Sequence, residues 1–192
     1  MSYTPRLITS GVSGNPYWYS NRNIFYKNGI YLPRSENYCF GRWWELADTN
    51  RHFENKPHLA LLDAYQWYNY AHDGYTRGNT PQLGAVACYD YNNHSVLKGA
   101  VAIVEELVSD PVLGDIAVCI SGIVDENDPS IFEPWYLDQH TNEIISVYPY
   151  DSNDMTFQGF IYNPHTEGTL NPPLLFKPWM AKAIIDRRTG KQ

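Results

Sequence analysis

The sequence predicts an α+β domain, with N-terminal helices packed on a small antiparallel sheet. Three observations predict it. An aromatic run with helical spacing, SENYCFGRWWELAD, lies early in the chain. Four runs of strand length and composition come later: GAVACYDY, KGAVAIVEEL, DIAVCISGIV and MTFQGFIYNP. Helix signals come first and strand signals follow. That order marks an α+β chain, whereas regular alternation would mark a parallel α/β sheet.

The elements follow in order. Residues 1–33 are turn-rich and aromatic and read as an irregular arm. In the first helix Phe40, Trp43, Trp44 and Ala47 recur at i, i+3, i+4 and i+7, which gives one strongly apolar face. Glu36 sits in its first turn, where a negative charge suits the helix dipole. Pro57 opens an expected second helix, HLALLDAYQWYNYAHDG, with Leu61, Tyr65 and Tyr68 on one face and Gly74 at its end. In KGAVAIVEEL the period of two places Ala100, Ala102 and Val104 on one face and Val101 and Ile103 on the other. Residues 126–154 read as a long, polar, proline-containing excursion before the last strand, which Pro164 closes.

Bulk properties narrow the function. A chain of 192 residues suits one domain with its own core. The sixteen tyrosines and six tryptophans fit either an aromatic binding surface or a tyrosine-heavy core. A formal charge of −7 argues against nucleic acid as a partner. Three cysteines give no disulfide framework, and Cys88 and Cys119, in apolar runs, read as reduced core residues. No apolar run approaches the ~18 residues of a membrane span. MSYTPRLITS lacks the pattern of a secretory signal, so the expectation is a protein made in the cytoplasm and not inserted in a membrane.

Four separated stretches carry a resemblance: LPRSENYCFGRWWEL, DAYQWYNYAHDGYTRGNTPQLGAVACYD, KGAVAIVEEL and FQGFIYNP. Together they resemble the CHAP family of papain-like cysteine amidases and endopeptidases, common in phage lysins and bacterial wall hydrolases. Tyr38, Phe40 and Arg42 fall on the Tyr, Trp and Arg of the family's helix pattern, and KGAVAIVEEL on its Gly-His-Val-Ala-Ile-Val-Glu strand. The resemblance implies a papain-like domain over residues 14–164, an N-terminal arm over 1–13 and a C-terminal arm over 165–192 suited to docking on a neighbouring subunit. It implies no cofactor and no metal, since the calcium loop of some relatives has no match in SNRNIFYKNG.

On this register the family's catalytic positions are vacated. The nucleophilic cysteine falls on Ser35, the histidine that acts as general base on Ala100, and the third polar residue near Ile120. Cys39 lies four residues beyond position 35, about 6 Å along the axis at ~1.5 Å per residue. A reacting carbonyl must come within about 3–3.5 Å of its nucleophile, so Cys39 reads as a packing residue. A serine at a helix start is by default an N-cap, and becomes a nucleophile only beside a base. His94 serves only if its hairpin folds back over the helix tip; otherwise it is a turn histidine. The other histidines show no metal-ligand spacing. Of Glu105 and Glu106, one is expected to face solvent and the other to cap the groove. The acidic DEND at 125–128 reads as a solvated turn rather than a Ca²⁺ loop. Tyr17, Trp18, Tyr19 and Trp43 are the expected rim of a substrate groove.

Three functions stand open at this point. The first is a catalytically inactive CHAP-fold protein that binds cell wall or serves as a structural part of a phage tail or baseplate. The second is a peptidoglycan amidase or endopeptidase inactivated by substitution of its Cys and His. The third is a protein-interaction module without wall affinity. The expected partners are peptidoglycan peptide or cell wall, and phage structural proteins through 165–192.

Overall fold

The computed structural model describes residues 3–7, 12–48, 52–91, 99–111, 114–125, 128–147 and 155–166. Among these residues one long α-helix, α2 (Ser35–Ala47), and two short ones, α1 (Ile24–Lys27) and α3 (Ala64–Trp67), precede seven strands. The strands are β1 (Arg77–Gly78), β2 (Val86–Tyr91), β3 (Ala100–Asp110), β4 (Gly114–Asp125), β5 (Asp128–Asp138), β6 (Ile144–Val147) and β7 (Met155–Ile161). They form one antiparallel sheet in the order β1-β7-β2-β3-β4-β5-β6. The α+β class holds, but the sheet is large rather than small. The polar excursion supplies two of its strands, β5 and β6.

The sheet is curled. On a flat sheet β2 and β5, three strands apart, would lie roughly 14 Å from each other at about 4.8 Å per strand. Instead the rings of Tyr89 on β2 and Trp135 on β5 meet edge to face at 5.4 Å. The Tyr89 hydroxyl donates to the Asn142 carbonyl between β5 and β6, and the Asn142 amide donates to the carbonyl of Asn79, just past β1. The inner face thus closes on itself around Tyr89, Trp135, Phe160 and Leu137. Small residues make room for these rings: Ala85, Ala87, Ala100, Ala102, Ala117 and Cys119 share the same cluster.

The other face carries α2. Val86, Cys88, Val101, Ile103 and Ile120 pack under Tyr38, Cys39, Phe40, Trp43 and Trp44. The alternation read in β3 is borne out, with Ala100, Ala102 and Val104 inside the curl and Val101 and Ile103 beneath the helix. The N-terminal segment then lies over α2. Trp18 stacks on Tyr38, donates its indole N–H to the Tyr38 carbonyl at 2.9 Å, and fills the notch left by Gly41. A Cβ on Gly41 would stand 2.4 Å from the Trp18 ring, so this position must be glycine. The helix is therefore covered on both sides, and ten of its thirteen residues are buried.

The long second helix predicted from Pro57 is not there. Among residues 57–73 only α3 and a single 3₁₀ turn, Ala71–Asp73, are helical. α3 starts at a capping box: the Asp63 side chain caps the Gln66 N–H and the Gln66 side chain caps the Asp63 N–H. After it, the Arg77 guanidinium binds the carbonyls of Trp67, Tyr68, Tyr70 and Tyr75, with Asp73 as its counter-charge. Those carbonyls find their partner on β1, which holds the chain in a loop where a longer helix would have used them internally.

Candidate functional site at the tip of the long helix

Helix α2 begins beside Gly122 of β4. Its N-cap is Arg34 rather than the expected Ser35, and Arg34 contributes only backbone. Ser35 is the first helical residue, half-buried, with its hydroxyl 3.5 Å from a Glu36 carboxylate oxygen. That is the outer limit of a hydrogen bond and no geometry for a positioned base. Glu36 is itself buried and pairs with the more exposed Arg34 at 3.3 Å. Gly122 of β4 abuts the turn before the helix, since a Cβ there would lie 2.7 Å from the Pro33 carbonyl oxygen. Ile103 pairs with Ile120, so the start of β3 runs beside Gly122 near this tip.

The structure separates the three residues expected together at this tip. Ala100 points away from α2, into the curl of the sheet with Tyr89 opposite it. On the helix side its neighbours leave no space. Val101 is fully buried in the core, and a Cβ on Gly99 would stand 2.4 Å from the Tyr65 backbone nitrogen. Ile120 lies beneath α2 as a buried core residue, with Val101 and Ile103. It has no polar atom on its side chain to orient a base.

The expected groove rim is also corrected. Tyr17, Trp18 and Trp43 are buried in the core. The Tyr17 hydroxyl donates to Asp48 at the end of α2, and Trp43 packs on Tyr75 at 4.8 Å. Tyr19 is half-buried and packs against the same core. The aromatic richness of the N-terminal segment goes into the layer that covers α2.

Cys39 is fully buried, and burial pushes its thiol well above the ordinary range, with the nearby Cys88 thiol adding to the shift. Cys88 and Cys119 are buried and free, and burial raises them as well. A thiol held protonated is neither nucleophile nor metal ligand. The expected outcome is that the native protein resists a thiol reagent at pH 8, and all three cysteines react once denaturant is added. Rapid labelling of one thiol without denaturant would contradict this.

Among the described residues no histidine is placed as a base for Ser35. His52 and His58 are fixed by backbone contacts to Asp48 and Tyr75, His72 lies against Tyr70, and the His165 N–H donates to Asn163. His94 lies outside the described residues. His140 meets Asp115 at 3.2 Å, and Ser109 donates to the other oxygen of the same carboxylate at 2.5 Å. Here the carboxylate stands between serine and imidazole. A Ser-His-Asp relay needs the imidazole in the middle, so this surface group is not a triad. Both hydrogen bonds hold Asp115 below the usual carboxylate range, the Ser109 bond most. Among the described residues no group of three or more His, Cys, Asp or Glu side chains is placed to hold a metal. Of DEND, Asp125 and Asp128 are backbone partners at the end of β4 and the start of β5, and residues 126 and 127 lie outside the described set.

One buried polar cluster was not anticipated. Glu105 is the extra residue where the β3–β4 register slips between Val104 and Glu106. Both Glu105 and Glu106 are buried, so neither faces solvent as expected. The Glu105 carboxylate accepts from Arg42 Nε at 2.8 Å, Arg42 Nη2 at 2.9 Å, the Tyr3 hydroxyl at 2.8 Å and the Arg6 backbone N–H at 2.8 Å. Arg42 also reaches Glu45 and the Thr4 carbonyl, and Glu45 pairs with Arg6. Burial works against the Arg42 charge, yet Glu105 outweighs it and holds the guanidinium firmly protonated. The signal was present in the sequence. Arg42 is a lone cation on an apolar helix, and Glu105 an acid that follows an apolar strand.

A family model, the CHAP domain, matches residues 13–122. The chain belongs to the CHAP family. The family carries a peptidoglycan-hydrolase-like fold, so the wall is its substrate surface. The matched stretch runs from the segment over α2 to Gly122 and holds the helix tip, β2, β3 and most of β4. β5, β6 and β7 complete the curl beyond it. Comparison with curated proteins and with solved structures gave no match.

Proposed function

We propose that this CHAP chain keeps a papain-like scaffold without the family's thiol chemistry, and acts by binding cell-wall peptidoglycan. We place it as a wall-contacting or structural component of a phage particle, such as a tail or baseplate, assembled after synthesis in the cytoplasm. The observation that carries this reading is the direction of Ala100. A base at that position would sit inside the curled sheet, separated from Ser35 by the sheet itself. Among the described residues Ser35 has a distant Glu36 carboxylate beside it, and the one cysteine in the helix is buried and held protonated. These features also weaken the alternative of an enzyme silenced by two substitutions, because restoring Cys and His would not bring the two groups together. Of the expected docking arm, 165–192, residues 167–192 lie outside the described set and belong to the proposal by sequence alone.

The test uses purified Gram-positive sacculi and two readouts. The protein is expected to co-sediment with sacculi and to release no new amino groups, and Ser35→Cys/Ala100→His is expected to release none either. Amine release by the unmodified protein well above buffer would sink the reading. Release by the double variant alone would restore the silenced-enzyme alternative. Failure to sediment would leave the interaction module without wall affinity.

A further inference from the structure

Among the described residues, two large apolar side chains are strongly exposed, and Tyr31 is the more exposed at 51%. It stands just before the α2 tip. Its ring is held edge to face by Tyr26 at 4.9 Å, and Tyr26 by Tyr19 at 6.2 Å. A fixed aromatic face loses little freedom when a ligand stacks on it. The Arg34 N–H donates to the Tyr31 carbonyl at 3.1 Å, so one tight turn carries both side chains. The Arg34 side chain is 57% exposed and touches Glu36 loosely, through Nε at 3.5 Å and Nη2 at 3.3 Å.

The local charge is opposite to that of the whole chain. Residues 1–35 hold four of the fourteen basic residues and none of the twenty-one acidic ones, in a protein of net charge −7. Two of those four, Lys27 and Arg34, are exposed on either side of Tyr31. An aromatic face beside a cation suits the apolar face of a sugar ring that carries an acid group.

We propose that the turn 26–34 is a saccharide site, with a sugar ring stacked on Tyr31 and a carboxylate on that sugar paired with Arg34. This rests on the wall-binding reading and specifies it: the contact is to a muramic acid of the glycan strand whose lactyl carboxylate is free, as it is where the stem peptide has been removed. Single-stranded nucleic acid uses the same two kinds of side chain, but the acidic remainder of the chain opposes a polyanion.

The test is titration of the full chain with three probes: N-acetylglucosaminyl-N-acetylmuramic acid, the neutral N,N′-diacetylchitobiose, and a short thymidine oligonucleotide. The acidic disaccharide is expected to bind most tightly. Tyr31→Ala is expected to weaken both sugars about five- to tenfold. Arg34→Gln is expected to weaken only the acidic one and to flatten its salt dependence. Both side chains are exposed, so circular dichroism of the variants should match the parent. No saturable binding of the acidic disaccharide, an unchanged affinity in Tyr31→Ala, or tighter binding of the oligonucleotide would each overturn the site. Sedimentation with sacculi but no disaccharide binding defeats this site and leaves wall binding standing. Disaccharide binding without sedimentation does the reverse.

Discussion

Glu105→Ala is expected to cost about 3–5 kcal/mol of stability, the usual price of stranding one member of a buried ion pair. The carboxylate is fully buried and accepts four hydrogen bonds from Arg42, Tyr3 and Arg6. Removing it leaves the Arg42 guanidinium in the core with only Glu45 and the Thr4 carbonyl as partners. It also removes two of the contacts that tie the N-terminal segment to β3, from the Tyr3 hydroxyl and the Arg6 N–H, and leaves the bond from the Tyr3 hydroxyl to the Val104 carbonyl. Two readouts follow. Urea unfolding should show the lower midpoint, and hydrogen exchange should show early loss of protection near α2 and β3. The double variant Arg42→Met/Glu105→Leu should recover much of the loss, since an apolar pair of similar volume has no charge to desolvate. A loss under about 1 kcal/mol for Glu105→Ala would mean that the cluster is not held as described.

This cluster shows what the sequence could and could not reveal. Helix α2 was legible because Phe40, Trp43 and Trp44 repeat at helical spacing, and β3 because small and branched residues alternate. Burial of Arg42 and Glu105 was not legible as a pair. They lie sixty-three residues apart, and the register slip that turns Glu105 toward the helix leaves no mark in composition. β5 was missed for a local reason. Pro134 breaks the pattern of IFEPWYLD, and proline cannot donate to a ladder. In the structure it pairs opposite Ile120, where the β4–β5 register shifts and a donor can be spared. The second helix was overcalled because periodicity sees side chains only, whereas Arg77 decided the fate of the loop carbonyls.

The candidate site was legible as a location but not as a geometry. The α2 tip and the start of β3 do lie in the same region, as the resemblance implies. Alternation in β3 assigned two faces correctly, yet alternation cannot say which face a helix will cover. That fact depends on Phe40, Trp43 and Trp44 meeting Val101 and Ile103, a contact across the whole domain.

Ala100→His tests that assignment directly. The side chain would enter a space already shared by Tyr89, Trp135, Phe160 and five other small residues. Overpacking a tight core costs about 1–3 kcal/mol, and burying an unpaired imidazole adds to it. The effect has a pH signature. A histidine in an apolar site resists protonation, so its folded-state pKa falls below the ordinary ~6.5. The unfolded chain then binds a proton that the folded chain refuses, and the variant loses further stability as pH falls through about 6.5. Unfolding midpoints at pH 8 and pH 5.5, each taken relative to the parent, measure both parts. A histidine facing the α2 tip instead would lie beside Glu36 and Ser35. It would gain a proton more readily than in the unfolded chain and become more stabilising as pH falls. The sign of the pH dependence alone therefore says on which side of the sheet residue 100 lies.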